Sequence, residues 1–378
     1  MIERTNSLQF KKIENPKIWV LAPYLITHEE NIDYYYDYSH SKKEYEKVFF
    51  DLEIPWEWKE VTNINFKVII DEISQCQSGH TPIILNLCDG DEINGAPGIS
   101  VIHYLKEKKI RFTGSDIRFY ENTTSKILMK KIFDEQHIAH ANWKAIHHPE
   151  QYMKDIPSHT GLPFIVKPAI SGGSMGLGTK NVIKNENELY PLVKSLFEGY
   201  KGWDFTYGGL VAESYINGPE FTTFIVGSYS YPKLAKIYTP VERLFHESLP
   251  DTEKFLSFDR LWETYEEEKP VNEKDDFYQY RSVSAVLEKA IKDISWDAYC
   301  AVEGTGYGRV DIRMDKHTGK LFILEVNAQC GLSEDENYTS IGAISRIGNH
   351  PYHEMIAHIL EDACLRYNAR NIHQKSFT

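Results

Sequence analysis

The stretch GYGRVDIRMDKHTGKLFILEVN, from Gly306 to Asn327, alternates apolar and polar residues on both sides of a short turn containing Gly319. This pattern predicts a β-hairpin. With His317, Thr318 and Gly319 as a three-residue loop and Gly319 left-handed, Lys316 pairs with Lys320. Counting back sets Asp311 opposite Glu325 and Arg309 opposite Asn327, all on one face because strand side chains alternate with period two. Val310, Ile312 and Met314 then share the other face with Phe322, Leu324 and Val326 and supply a core layer. Like charges directly opposite on a sheet cost up to roughly 1 kcal/mol, so this register calls for a compensating cation. Magnesium answers that need, since it takes carboxylate and amide oxygens and bridges protein carboxylates to phosphates.

The hairpin belongs to a chain of 378 residues, a length that predicts two or three domains. Hydrophobic residues make up 42% and charged residues 26%, the composition of a globular protein with ample core. A formal charge of -13 argues against a nucleic-acid partner, which needs a basic footprint to displace counterions. The five cysteines, Cys76, Cys88, Cys300, Cys330 and Cys364, are scattered without disulfide or zinc spacing, as expected in a reducing compartment. No apolar run of about twenty residues occurs, so the expectation is a cytoplasmic protein with no membrane partner.

Along the chain, Ile18 to Leu21, Val68 to Ile70 and Ile83 to Leu87 read as buried strands, Ile99 to Lys108 as a helix, and Ile110 to Thr113 as a strand. Such alternation predicts βαβ units and a parallel sheet. The segment 33–60, with YYYDY and PWEW, fits neither period. Thr123 or Ser125 caps a helix through Glu135 with Ile127, Leu128 and Ile132 inward, which leaves Lys130 and Lys131 as solvated lysines. Strands at Trp143 to Ile146, Pro163 to Lys167 and Lys180 to Ile183 and a helix at Glu186 to Phe197 complete a small α+β unit. Strands resume in LVAESYI, EFTTFIVG and KLAKIYTPVE, followed by a charged, aromatic excursion over 244–280 that reads as irregular structure or a lid. Helices are expected at Val283 to Ile294, Ile341 to Ile347 and His353 to Tyr367. The resulting boundaries are 1–120, 121–208 and 209–378.

With GRVDIRMD and ILEVNAQCGLS on the page, the sequence resembles the ATP-grasp superfamily, in its D-alanine:D-alanine ligase-like branch. That resemblance implies an α/β and α+β architecture: an ATP-grasp fold behind an N-terminal Rossmann-like domain. Its lysine in a VKP-type strand corresponds to Lys167 in FIVKP, and its first nucleotide-binding lysine to Lys126 in TTSKILMKK. The loop Ser171-Gly172-Gly173-Ser174 can turn backbone N–H groups toward phosphates. In AESYINGPEFT, Glu213 matches the adenine-amino acceptor, the backbone near Tyr215 and Ile216 the ring-edge contact, and Glu220 the ribose ligand. Asp311, Glu325 and Asn327 match the metal ligands, implying two magnesium ions or manganese in their place. Arg309 and the backbone N–H of Gly331 match the groups that stabilise the oxyanion.

The chain also departs from the pattern. Where D-alanine ligases carry His-Gly and Gly-Glu-Asp-Gly signatures, it has Leu87-Cys88-Asp89-Gly90-Asp91-Glu92-Ile93-Asn94-Gly95, and the glutamate that holds the first substrate's amine has no clear counterpart. Arg260 in SFDRLW is the nearest cation to the family's lid lysine. Five residues past Gly331, where the family has a serine for the second substrate's carboxylate, stands Glu336; a carboxylate there disfavours another carboxylate and favours a basic or neutral acceptor. The resemblance implies transfer of the ATP γ-phosphate to a carboxylate, attack by an amine, and a homodimer joined through the N-terminal domain. It assigns no nucleophilic side chain, so His147 and His148 read as surface residues and Cys330 as a small neighbour of Gly331. The alternatives are an ATP-grasp kinase acting on a small molecule and a nucleotide-binding regulatory protein without turnover.

Overall fold

The computed structural model describes residues 9–25, 37–75, 79–151, 153–271, 276–337 and 339–375. Three sheets organise them. The first is parallel and four-stranded, in the order β2-β1-β3-β4. It is built from β1 (Pro16–Pro23), α1 (Ser39–Asp51), β2 (Trp56–Val61), α2 (Phe66–Ser74), β3 (Thr81–Asn86), α3 (Ile99–Glu107) and β4 (Arg111–Phe112). Successive residues of β1 pack into opposite cores: Ile18 and Val20 with Tyr45 and Val48 of α1, Trp19 and Leu21 with Ile70 and Ile102 of α2 and α3. A parallel sheet covered on both faces is the expected Rossmann-like arrangement.

This part differs from the sequence expectations in two places. Val68 to Ile70 is helical, because Phe66, Ile70 and Ile73 are buried at one-turn spacing while Val68 is 60% exposed. Within the unassigned segment, α1 and β2 form, whereas residues 33–36 lie outside the described residues. The apolar spacing Tyr45, Val48, Phe49 signals α1. In contrast, β2 is a short edge strand whose alternating Trp and charged residues run over only four positions, none of them fully buried.

After α4 (Ile117–Thr124) and α5 (Lys126–Glu135), a four-stranded antiparallel sheet runs β5-β8-β6-β7. Its members are β5 (Trp143–Ile146), β6 (Phe164–Pro168), β7 (Val182–Ile183) and β8 (Leu210–Ser214), with α6 (Ile156–Thr160) and α7 (Leu189–Phe197) between them. One face packs Phe164, Val166 and Ala212 against Leu192 and Val193 of α7. The other carries Lys167, Val211 and Glu213 toward α5, whose inward residues are Ile127, Met129, Lys130 and Phe133. Leu128, expected inward, is 40% exposed, and Lys130, expected in solvent, is 2% exposed.

The third sheet has six strands, with the path β12-β11-β9-β13-β14 and β10 beside β9. It comprises β9 (Glu220–Ser228), β10 (Lys236–Ile237), β11 (Val241–Phe245), β12 (Tyr278–Ser282), β13 (Thr305–Met314) and β14 (Leu321–Ala328), with α8 (Phe258–Leu261), α9 (Ala285–Ala301), α10 (Ser340–Ile347) and α11 (Tyr352–Lys375). Phe221, Val310, Ile312 and Val326 on its rear face pack against Ile291 and Tyr299 of α9 and Phe133 of α5. The excursion over 244–280 is stitched to the glycine-rich region. Phe258 N donates to Leu177 O (2.8 Å), Thr179 N to the Glu268 carboxylate (2.7 Å), and Lys180 pairs with Glu267 (2.7 Å).

Candidate functional site

The hairpin that anchors the site reaches the expected pairing by a different route. Asp315 N donates to Lys320 O and Gly319 N to Asp315 O, so the loop is one residue longer than expected and Met314 pairs with Leu321. A register shift between Asp311 and Ile312 then restores the count, and Asp311 stands opposite Glu325 and Arg309 opposite Asn327. Ile323 therefore replaces Leu324 in the rear core, and Leu324 turns to the front, where it lines a cavity.

That cavity measures about 790 Å³ and lies between the second and third sheets, with the start of α1 at its rim. On its floor the Arg309 guanidinium donates to both Asp311 oxygens (2.8 to 3.1 Å). The Asn327 amide donates to Asp311 (3.0 Å) and Glu325 (3.4 Å). Burial would raise the Asp311 carboxyl, but Arg309 and Arg243 hold it below the usual range. Among the described residues no group of three His, Cys, Asp or Glu side chains has metal-site spacing. Two carboxylates and an amide open to a large cavity instead suit magnesium shared with a phosphate ligand, since that ion commonly takes only one or two protein carboxylates.

The opposite wall is cationic. Lys126 reaches Ser171 O (3.1 Å) and stands 3.8 Å from Glu325. Lys167 pairs with Glu213 (2.7 Å), which also meets Lys130 (2.5 Å). Burial works to raise the Glu213 carboxyl, yet Lys130 and Lys167 together pull it down to about 2. Ser171, Gly172, Gly173 and Ser174 line the cavity beside these lysines. Gly173 adopts φ +54°, and its carbonyl accepts from the Trp262 indole (2.8 Å). At Gly176 (φ +73°) a Cβ would come within 2.5 Å of Phe205, so the turn requires glycine.

Tyr215, Ile216 and Glu220 complete the nucleotide-side candidates in the lining. Glu220 is buried and paired with Arg243 and Arg313, the latter at 2.9 Å, and Arg313 also donates to Ile216 O (3.2 Å). Gly331 lines the cavity at the end of a loop fixed from two sides. Just before it, Gln329 binds Cys88 O (2.6 Å) and accepts from Ser115 Oγ (3.2 Å). Just after it, Glu44 of α1 accepts from Ser333 Oγ (2.7 Å), Glu334 N (2.9 Å) and Asp335 N (3.1 Å).

Two substrate candidates lie elsewhere. Arg260 is buried against Glu253 (2.8 Å) and Glu268 (3.3 Å), and it does not line the cavity. Its role is to hold the excursion together, whereas Leu261 and Trp262 face the cavity. Glu336 turns outward to Arg346 (2.6 Å), and its neighbours Asp335 and Asn337 line the cavity in its place. The loop after Gly331 is long enough to shift the expected five-residue count. In the divergent N-terminal motif, Glu92 caps α3, accepting from Gly98 N and from Ser100 N and Oγ (2.6 to 3.1 Å).

Sequence reasoning passed over Arg243, Arg313 and Glu44 and assigned Lys130 to solvent. Arg313 was readable, because it continues the alternation of Arg309 and Asp311; Lys130 lies one helical turn from Lys126. Glu44 depends on a contact with a residue 289 positions away and leaves no local trace.

Solved structures with this fold include the D-alanine–D-alanine ligase of Bacillus anthracis, at TM-score 0.64 and 18% identity, covering 94% of this chain and 99% of that one. A second structure of that ligase, complexed with ATP, matches at TM-score 0.65 and 16% identity over the same shares. The ligase of Coxiella burnetii matches at TM-score 0.64 and 14% identity, covering 96% and 99%. The family model described as D-ala D-ala ligase C-terminus matches residues 132–361, well over half of the chain. The chain therefore belongs to the D-Ala–D-Ala ligase family of ATP-grasp enzymes, which are ATP-dependent carbon–nitrogen ligases.

Proposed function

We propose that the cavity binds Mg²⁺-ATP and uses the γ-phosphate to activate a small carboxylate for attack by an amine. The observation that carries this reading is the pair Asp311 and Glu325, opposed on the floor of a cavity whose facing wall holds Lys126, Lys167 and the 171–174 loop. Asp311, Glu325 and Asn327 would hold the magnesium ions, which neutralise phosphate charge and polarise the transferred group.

Lys126 and Lys167 bind phosphate oxygens by charge-assisted hydrogen bonds, while the 171–174 loop offers backbone N–H groups. Because the Glu213 carboxylate is engaged by two lysines, base recognition falls to the backbone around Tyr215 and Ile216. Glu220, held by two arginines, is set to accept from the ribose. A substrate carboxylate oxygen attacks the γ-phosphorus and ADP departs, leaving an acylphosphate. The amine then adds to the acyl carbon, Arg309 and Gly331 N–H stabilise the oxyanion, and the acyl C–O bond breaks with its electron pair leaving on phosphate while the amine loses a proton.

Phosphate release should be screened over pairs of amino acids and small carboxylic acids, with hydroxylamine as a trap. A hydroxamate from one carboxylate supports ligation through an acylphosphate. Phosphorylated product without hydroxamate indicates transfer to a hydroxyl and contradicts it.

A further inference from the structure

Lysine is almost never fully buried unless paired, yet Lys130 is 2% exposed and lies off the cavity lining. Its partner Glu213 is 3% exposed and carries one lysine on each oxygen: Lys130 at Oε2 (2.5 Å) and Lys167 at Oε1 (2.7 Å).

The two lysines differ in freedom. The Lys167 side chain is 19% exposed and lines the cavity, so it can turn toward a polyanion. Lys130, enclosed between α5 and the sheet, cannot. If Lys167 were the sole counter-charge of Glu213, moving it toward phosphate would strand a buried carboxylate, a strongly unfavourable event. With Lys130 in place, Glu213 keeps a partner whichever way Lys167 points.

We propose that Lys130 is a positioning residue for nucleotide binding: it keeps the buried Glu213 carboxylate neutralised and so releases Lys167 to the phosphates. This rests on reading the cavity as an ATP site. It separates the cationic wall into two cavity-facing lysines, Lys126 and Lys167, and one buried lysine that acts through Glu213.

The test is calorimetric titration of the full chain with the Mg²⁺ complexes of AMPPNP and AMP, with thermal midpoints recorded for every variant. Lys130→Met should bind AMPPNP about tenfold or more weakly, the scale of a lost charge-assisted contact, with AMP affinity little changed. Lys130→Arg keeps the charge and should stay near wild type. The double variant Lys130→Met/Glu213→Gln removes both charges, frees Lys167 again, and should recover AMPPNP affinity. Equal loss for AMP and AMPPNP, or no recovery in the double variant, assigns Lys130 a purely structural role and overturns the proposal. A wild type that fails to bind AMPPNP overturns the ATP reading itself, whereas wild-type binding with an unaltered Lys130→Met sinks this inference alone.

Discussion

Asp311 and Glu325 face each other directly across β13 and β14, and the Asn327 amide donates to both carboxylates at 3.0 and 3.4 Å. The one-residue shift beside Asp311 is what preserves this opposition, since the turn alone would pair Asp311 with Leu324. A bulge next to a candidate site is a common means of aiming a side chain.

Lys167 should matter to nucleotide affinity far more than an exposed helix lysine. Lys167→Ala is expected to weaken ATP binding by about tenfold or more, the scale of a charged hydrogen bond. Lys131, which is exposed, is the proper control, and Lys131→Ala should bind as wild type. Equal dissociation constants for the two would show that Lys167 does not meet the phosphates.

Glu213 gives a stability signature in acid. Its folded carboxyl is pulled down to about 2 from an ordinary 4.5, so on acidification the unfolded chain takes up the proton first. Its contribution is complete above pH 4.5 and is lost as pH falls toward 2. Chemical denaturation across this window should fall more steeply for wild type than for Lys130→Met/Glu213→Gln. Parallel slopes would contradict the buried pairing.

Asp335 lines the cavity, whereas Glu336, the expected acceptor-side residue, does not. Asp335→Asn should change the acceptor KM, whereas Glu336→Gln, whose parent residue pairs outward with Arg346, should leave it unchanged. With D-alanine as the sole amino acid, ATP-dependent dipeptide formation is expected to stay below a kcat/KM of about 10⁴ M⁻¹s⁻¹, the low end for ordinary enzymes on their own substrates. Efficient turnover would remove the case for a basic or neutral acceptor.

Trp262 ties the excursion to the glycine-rich loop through its bond to Gly173 O (2.8 Å). Trp262→Phe, which removes only the N–H donor, should raise the ATP KM several-fold, as expected for loss of one hydrogen bond of about 1 kcal/mol. An unchanged KM would show that the loop holds its shape without that bond.

The parts of the fold that were legible are those where a short period meets a simple environment. The strand β3 follows from a short continuous apolar run, and the β13–β14 hairpin from alternation and a turn glycine. In α2, the apolar run reads as a strand until the burial of Phe66, Ile70 and Ile73 reveals a helical face. The count that pairs Asp311 with Glu325 assumes a loop one residue shorter than the structure has, and the bulge between Asp311 and Ile312 offsets that difference. Long-range partners were not legible: Glu44 to the 333–335 loop and Lys130 to Glu213. Each depends on how separate elements pack, which local propensity does not encode.

If Asp311 and Glu325 hold magnesium against the ATP phosphates, Glu325→Gln should disable the site without unfolding it. That change removes one negative charge with almost no change in volume. Turnover measured as phosphate release across a magnesium titration should fall by about a hundredfold, the scale of losing a transition-state electrostatic contact, and the magnesium requirement should shift to higher concentration with the thermal midpoint retained. Wild-type turnover with an unchanged magnesium dependence would contradict the account.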